Sequence, residues 1–267
     1  MLRRNAHDPV ERWPDALEAA IAAAGPPLAR LVLLRETAST QDHARAAAPP
    51  PGTVVAAWRQ TAGRGRLGRA WADTGTEGVA VTFVLPDMPP ESLAMRSAVA
   101  AATAVRAFVP GERVGIKWPN DVVADGRKLA GVLVERTGGA ALVGIGVNVL
   151  QAAFPAPLDA TAASIAMLAA APDRLDVLSE LVRAVARAVA MDAVDVTRTY
   201  RSLDRLSGRP CAFSTPSGRV EGVVEEVDPL RGIRVRTPAG SLFLPAATTS
   251  VVPPGEGNRY FPPDAPG

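Results

Sequence analysis

Residues 114–149 read VGIKWPNDVVADGRKLAGVLVERTGGAALVGIGVNV, and this stretch decides the fold. Residues 114–117 form a short strand-like run that ends at Trp118-Pro119-Asn120-Asp121, and residues 122–124 form a second run. Asp125-Gly126 is a hairpin-turn pair, since both residue types tolerate the positive φ that a two-residue turn needs. Residues 128–135 run back, Gly138-Gly139 turns again, and residues 140–149 return once more. Strand-like runs joined by short turns, with no helix between them, make an antiparallel meander. They argue against a doubly wound parallel sheet here.

Upstream, residues 14–24 read as a short helix, with Pro14 in its first turn and Gly25 as its stop. Residues 1–12 read as a loose arm. A strand follows over 31–35. Ser39 is placed to N-cap a helix reaching residue 48, with Asp42 in its first turn. Strands are expected over 53–60 and 78–85. Pro89-Pro90 opens a helix over 91–108 whose apolar residues recur at helical spacing. Downstream, 156–172 is a small-residue loop, Asp173 caps an amphipathic helix to residue 190, and a second helix reaches 203. From Gly208 the character changes. Short runs at 209–213, 219–227, 232–237 and 240–244 alternate with turn signals, the pattern of a small closed β-barrel. The expected architecture is α+β: a mixed, largely antiparallel β-sheet with helices packed on it (1–207), a small C-terminal β-barrel (208–253), and a Pro/Gly-rich flexible tail (254–267).

Composition removes several function classes. The 267 residues are 48% hydrophobic, enough for a sizeable core. Net charge is +2, so overall charge does not argue for a nucleic-acid-coating protein, and anion binding must be local. One cysteine, Cys211, permits no intramolecular disulfide and fits a reducing, cytoplasmic setting. It reads as a small buried apolar residue. Two scattered histidines, His7 and His43, with one cysteine make a usual zinc site untenable, and neither histidine is assigned a role. There is no G-x-S-x-G, no G-x-x-x-x-G-K-[ST], and no apolar run of membrane-spanning length.

Four stretches carry chemistry. Gly63-Arg64-Gly65-Arg66-Leu67-Gly68-Arg69, with Trp71 beyond it, follows a strand and contains no acid. Its glycines let the backbone approach a ligand, and its guanidinium groups match carboxylate and phosphate oxygens. Read alone it is equally an exposed basic loop, or a binder of nucleic-acid backbones. Lys117 to Asp121 could hold only a surface ion pair of little energetic weight. Gly126 to Gly131 could be only a hairpin, and Gly144 and Gly146 only gaps for close strand packing. Ser39 and Thr40 could simply cap a helix, or turn their hydroxyls to a ligand at its N-terminus.

Together and in this order, GRGRLGRAW, KWPNDV, GRKLAGVLVE and GIGVNV resemble the catalytic domain of the biotin protein ligases, strongly over 30–150 and more weakly to about 253. The resemblance implies a class II synthetase-like biotin/lipoate ligase fold. It implies an enzyme that joins biotin to ATP as biotinyl-5′-AMP and passes the acyl group to a lysine of a biotin carboxyl carrier domain. It places Lys128 between the biotin carboxylate and the α-phosphate, with Arg64 and Arg66 closing over both as catalytic groups. It assigns Ser39, Thr40, Gln60, Gly63, Arg64, Arg66, Lys128, Gly131 and Gly144 to biotin. It assigns Arg66, Arg69, Trp71, Asn120, Asp121, Lys128 and Asn148 to ATP. Magnesium arrives with ATP; Asp121 is read as a magnesium-shell or orienting carboxylate, with the base that deprotonates the incoming lysine as the alternative. Residues 161–168 resemble a second ligand-ordering loop. With about 30 residues ahead of the match, a monofunctional ligase without specific DNA binding is expected, and no membrane partner. The competing readings are a lipoate or octanoate ligase or transferase of the same fold, a nucleic-acid-binding protein using the Arg/Gly loop, and a non-catalytic biotin binder.

Overall fold

The computed structural model describes residues 9–252; His7 and the expected flexible tail lie outside them. A 3-10 turn at Val10–Arg12 leads into α1 (Trp13–Ala24), so the expected loose arm is ordered at its end. Then come β1 (Arg30–Thr37), α2 (Thr40–Ala47), β2 (Thr53–Gln60), β3 (Gly63–Arg64), β4 (Ala70–Trp71), β5 (Gly78–Pro86) and α3 (Pro90–Arg106). The meander is β6 (Val114–Lys117), β7 (Asp121–Ala124), β8 (Arg127–Thr137) and β9 (Ala140–Asn148). Helices α4 (Arg174–Ala190) and α5 (Ala193–Leu203) follow. The chain closes with β10 (Pro210–Thr215), β11 (Gly218–Asp228), β12 (Gly232–Thr237), β13 (Gly240–Pro245) and β14 (Ser250–Val251).

Seven strands form the main sheet in the order β1-β2-β5-β9-β8-β7-β6. Only β1 and β2 pair in parallel, and α2 makes the crossover between them. The other ladders are antiparallel. Alternation along the strands separates two faces. On β9, Ala141, Val143, Ile145 and Val147 join the main core with Leu17 of α1, Leu93 of α3 and Leu181 of α4. Leu142, Gly144, Gly146 and Asn148 point the opposite way. Near that second face Ala44 of α2 forms a small apolar cluster with Val55, Val84 and Leu142. The core is thus built on one face, and the glycine-bearing face is left available.

Two buried arginines knit the helical layer. Arg96 of α3 donates to Ala188 O at 2.7 Å and Met191 O at 2.6 Å, meeting carbonyls that the end of α4 leaves unpaired. Arg174, at the start of α4, lies between the Trp13 and Trp58 rings, 4.9 and 4.4 Å from their centroids, and donates to Trp58 O.

The C-terminal strands form one five-stranded sheet, β13-β12-β11-β10-β14. The closed barrel expected from the sequence is not seen among the described residues. Among the described residues no ladder joins the two edge strands, β13 and β14; β14 pairs with Phe213 and Ser214 of β10. Residues between α5 and this sheet bind back onto the meander: Arg205 N donates to Ile116 O at 3.0 Å. The sheet is thereby held beside the main one, and its last residues reach the site.

Candidate active site

A cavity of about 800 Å³ opens on the glycine-bearing face. Its floor is β8 and β9, and its walls come from the start of α2, the loop after β2, the β6–β7 turn, the 156–162 segment and Ser250-Val251. Trp71 lies on the floor. An added Cβ would come within 3.1 Å of its ring at Gly131 and 2.7 Å at Gly146. The two strands need glycine there because an indole occupies the space of side chains.

Lys117, Asp121 and Lys128 form one cluster. Asp121 sits between two ammonium groups, Lys117 Nζ at 2.8 Å and Lys128 Nζ at 2.7 Å. The sequence allowed a weak surface pair at Lys117; instead its side chain is 5% exposed. Burial by itself would raise the Asp121 pKa, but the Lys117 and Lys128 charges overcome this and hold the carboxyl well below the usual range. Lys128 Nζ also lies 5.3 Å from the Trp71 ring centroid. Its peptide is stitched to the 156–163 segment: Lys128 N donates to Thr161 O at 2.7 Å and Ala163 N to Lys128 O at 2.9 Å. Arg66 reaches in from the loop and donates to Asn120 Oδ1 at 3.2 Å and Ala246 O at 3.3 Å. Burial pushes its pKa below the ordinary guanidinium value, against the pull of Asp121. The Asn120 amide nitrogen donates to Val132 O. Arg69 is exposed and lines the cavity.

A neutral polar network occupies the α2 side. Ser39 caps α2, its Oγ accepting from Asp42 N at 3.3 Å. Thr40 Oγ1 meets Thr82 Oγ1 at 2.9 Å, and Thr40 N donates to Gln60 Oε1 at 2.9 Å. Beside it, Gln41 is buried and donates through Nε2 to Glu135 Oε2 at 2.7 Å. Arg64 is held on the same carboxylate, at 2.9 Å, and on Asp42 Oδ1 at 2.7 Å.

Ser39, Thr40, Gln60, Arg64, Arg66, Arg69, Trp71, Asn120, Asp121, Lys128, Gly131 and Gly144 all line the one cavity. Gly63 and Asn148 do not. Gly63 is buried behind the loop, where a Cβ would stand 2.5 Å from Gln60 Nε2 and 2.8 Å from Trp71 Cβ; it makes room for side chains rather than for a ligand. Asn148 spends its amide nitrogen on Ala163 O at 3.0 Å and Lys128 O at 3.3 Å. It ties the lysine's backbone to the segment that roofs it. Asp121 is also a poor place for a fixed metal ion, since its two oxygens already face ammonium nitrogens. Among the described residues no group of three or more His, Cys, Asp or Glu could hold one. The sequence reading left Lys117 and Gly146 without a site role and passed over Gln41 and Glu135. Gln41 directly follows Ser39-Thr40, and Gly146 is two residues from Gly144 on the same strand face, so both were within reach of the pattern. Nothing local marked Ala246 or Ser250, which arrive from the second sheet.

The family model for the biotin/lipoate A/B protein ligase family matches residues 33–151. The biotin–[acetyl-CoA-carboxylase] ligase of Mycobacterium tuberculosis is 37% identical over 215 residues, 74% of this chain and 80% of that protein. The enzyme of the same name from Paracoccus denitrificans is 31% identical over 236 residues, covering 80% of this chain and 98% of its own length. The structure of the biotin protein ligase from Aquifex aeolicus in complex with biotin and ATP superposes with a TM-score of 0.75 at 25% identity, over 84% of this chain and 98% of that one. Sequence and topology lead to one conclusion: the chain belongs to the biotin/lipoate A/B protein ligase family, among its biotin protein ligases.

Proposed function

We propose that this chain is an ATP-dependent ligase that activates biotin as biotinyl-5′-AMP and transfers the biotinyl group to a lysine of a carboxylase's carrier domain. The observation that carries the reading is the juxtaposition of Lys128, Arg66 and Arg69 with a neutral hydrogen-bonding network in one cavity. The first group suits a carboxylate and phosphates, the second an uncharged polar head group. In the first step a biotin carboxylate oxygen bonds to the α-phosphorus of ATP and pyrophosphate leaves. Two anions must meet, so the chain's work is positioning and charge compensation. Lys128 offers a compact ammonium held by Asp121, and Arg66 supplies a second cation. Magnesium comes with the ATP phosphates, as part of the substrate. In the second step the acceptor amine bonds to the acyl carbon and AMP leaves. Asp121 serves here as an orienting carboxylate, because the two lysines make it a weak base.

Biotin contacts are assigned to Ser39, Thr40, Gln60 and Gly144, and nucleotide contacts to Arg69, Trp71 and Asn120, all on the cavity wall. The reading includes no specific DNA binding and no membrane role; no described helix is long and apolar enough to cross a bilayer. It places the reaction in the cytoplasm, where ATP is supplied and the lone Cys211 stays reduced. Burial pushes that thiol up to about 11, leaving it protonated.

The test is biotin-dependent exchange of labelled pyrophosphate into ATP, for the wild type and Lys128→Ala. Exchange that requires biotin and falls at least a hundredfold in the variant is expected. Exchange driven by lipoate or octanoate instead of biotin would assign the chain to a sister activity.

A further inference from the structure

Two glutamines beside the cavity have amide orientations fixed by unambiguous partners. Gln60 Oε1 accepts from the backbone N–H of Thr40 at 2.9 Å, so its carbonyl is spent and only its NH₂ remains to offer. Gln41 is fixed the other way round. Its Nε2 faces Glu135 Oε2 at 2.7 Å and the Leu133 carbonyl at 3.4 Å, both of them acceptors. The NH₂ must therefore point at them, and the carbonyl oxygen must point away. That oxygen lies against Gly144, where an added Cβ would overlap it. Gln41 is 4% exposed, and its Oε1 is buried with no hydrogen-bond partner. A buried acceptor left unmet costs stability until a donor arrives.

Glu135 is absent from the cavity wall, yet everything at this corner hangs on it. Its carboxylate receives Gln41 at 2.7 Å, Arg45 at 2.7 Å, and Arg64 at 2.9 and 3.2 Å. Burial works to raise its pKa, and these donors more than reverse that, keeping it ionised. An ionised carboxylate cannot donate, so it imposes one sense on the Gln41 amide.

We infer that Glu135 is a positioning residue that sets head-group selectivity by presenting the Gln41 carbonyl as an acceptor for an N–H of the ligand. The inference rests on the biotin reading above. A cyclic urea carries both a carbonyl and N–H groups, which Gln60 and Gln41 complement respectively. A dithiolane or an alkyl chain offers no N–H and leaves the Gln41 oxygen unmet. Selection then works chiefly by the penalty on the wrong ligand, as expected where a site hydrogen-bonds its substrate.

The test measures KM and kcat in pyrophosphate exchange with biotin and with the two cyclic carbamates in which one or the other ureido N–H is replaced by ring oxygen. In the wild type one carbamate should have a KM roughly 5- to 100-fold above that of biotin. In Gln41→Met, close in volume, the biotin KM should rise by a similar factor with kcat within about threefold, and the preference over that carbamate should vanish. Glu135→Gln, whose amide can both donate and accept, should erode the same preference by letting Gln41 turn over. Asp42→Asn, which loosens Arg64 from its other carboxylate, should leave the preference intact. Wild type that treats both carbamates like biotin, or Gln41→Met with an unchanged ratio, would overturn the assignment without touching the ligase reading. No exchange with biotin in folded wild type would overturn both.

Discussion

Replacing Asp121 with Asn separates the stabilising and chemical roles of the lysine cluster. The carboxylate is 16% exposed and contacts two ammonium nitrogens at 2.7 and 2.8 Å. An amide of the same shape keeps the packing and removes the charge. Lys128 is 31% exposed and retains water, but Lys117 is 5% exposed and loses this counter-charge inside the protein. Breaking a buried pair on one side costs about 3–5 kcal/mol. With Lys128 partly hydrated, the lower end applies, about 3 kcal/mol, or roughly 6–12 °C in Tm at this chain length. The sign with pH follows from the depressed carboxyl pKa. The stabilisation is fully present above the unfolded value of about 3.9 and is lost as pH falls through the folded one. The gap between wild type and variant should therefore be flat from about pH 8 to pH 5 and close only below about pH 4. Chemical denaturation followed by circular dichroism at several pH values measures it. A gap under about 1 kcal/mol at neutral pH, or one that already shrinks between pH 7 and 5, would refute the argument. The same variant should lose adenylation by roughly tenfold or more, because Lys128 is no longer aimed. Retained adenylation with loss of acyl transfer alone would make Asp121 the base instead.

Gly146→Ala should leave Tm within about 2 °C, since Gly146 sits in a strand without positive φ, while its Cβ, 2.7 Å from the Trp71 ring, displaces the indole on its half-buried loop and raises substrate KM roughly tenfold; an unchanged KM in folded protein would show that the indole's seat is irrelevant to binding. Arg66→Met should raise the KM for ATP roughly 10- to 100-fold, the worth of a charge-assisted contact, and that for biotin less. In steady-state kinetics with each substrate varied in turn, equal effects on both would place Arg66 on the loop's closure rather than on the phosphates.

The main sheet was legible because its signals were local. Asp125-Gly126 and Gly138-Gly139 mark turns, and strands 53–60 and 114–117 fall where alternation and turn residues put them. Ser39 and Asp173 cap α2 and α4 as their residue types require. What escaped were features made by distant partners. Arg96 and Arg174 look like surface charges in sequence, and become core residues only because carbonyls at the end of α4 and two tryptophan rings await them. Lys117 looked like half of a weak surface pair because nothing nearby announces that the sheet will bury it. Asn148 belongs to a recognisable motif, yet its amide serves the Lys128 backbone, a role visible only once residues 161–163 cross over it. The barrel is the opposite case. Strand spacing was right, but spacing carries no information on whether the edges meet.

Arg64 and Arg66, two of the three loop arginines and equivalent in sequence, are unequal in the fold. Arg64 is clamped by two carboxylates, Asp42 and Glu135, at 2.7 and 2.9 Å. Arg66 is held by an amide oxygen and a peptide carbonyl at 3.2 and 3.3 Å. Leaving its partners costs Arg64 two counter-charges, whereas Arg66 gives up only neutral oxygens at longer range. An arriving phosphate therefore competes well for Arg66 and poorly for Arg64. An Arg66 turned to a phosphate would leave Asn120 Oδ1 and Ala246 O, the latter in the turn after β13, without this donor. A nucleotide that draws Arg66 away is therefore expected to perturb both the β6–β7 turn and the turn after β13, while Arg64 stays on Asp42 and Glu135. One basic motif thus holds one arginine on two carboxylates and another on neutral oxygens, and the division is made by residues 42, 120, 135 and 246, none of which lies in the loop.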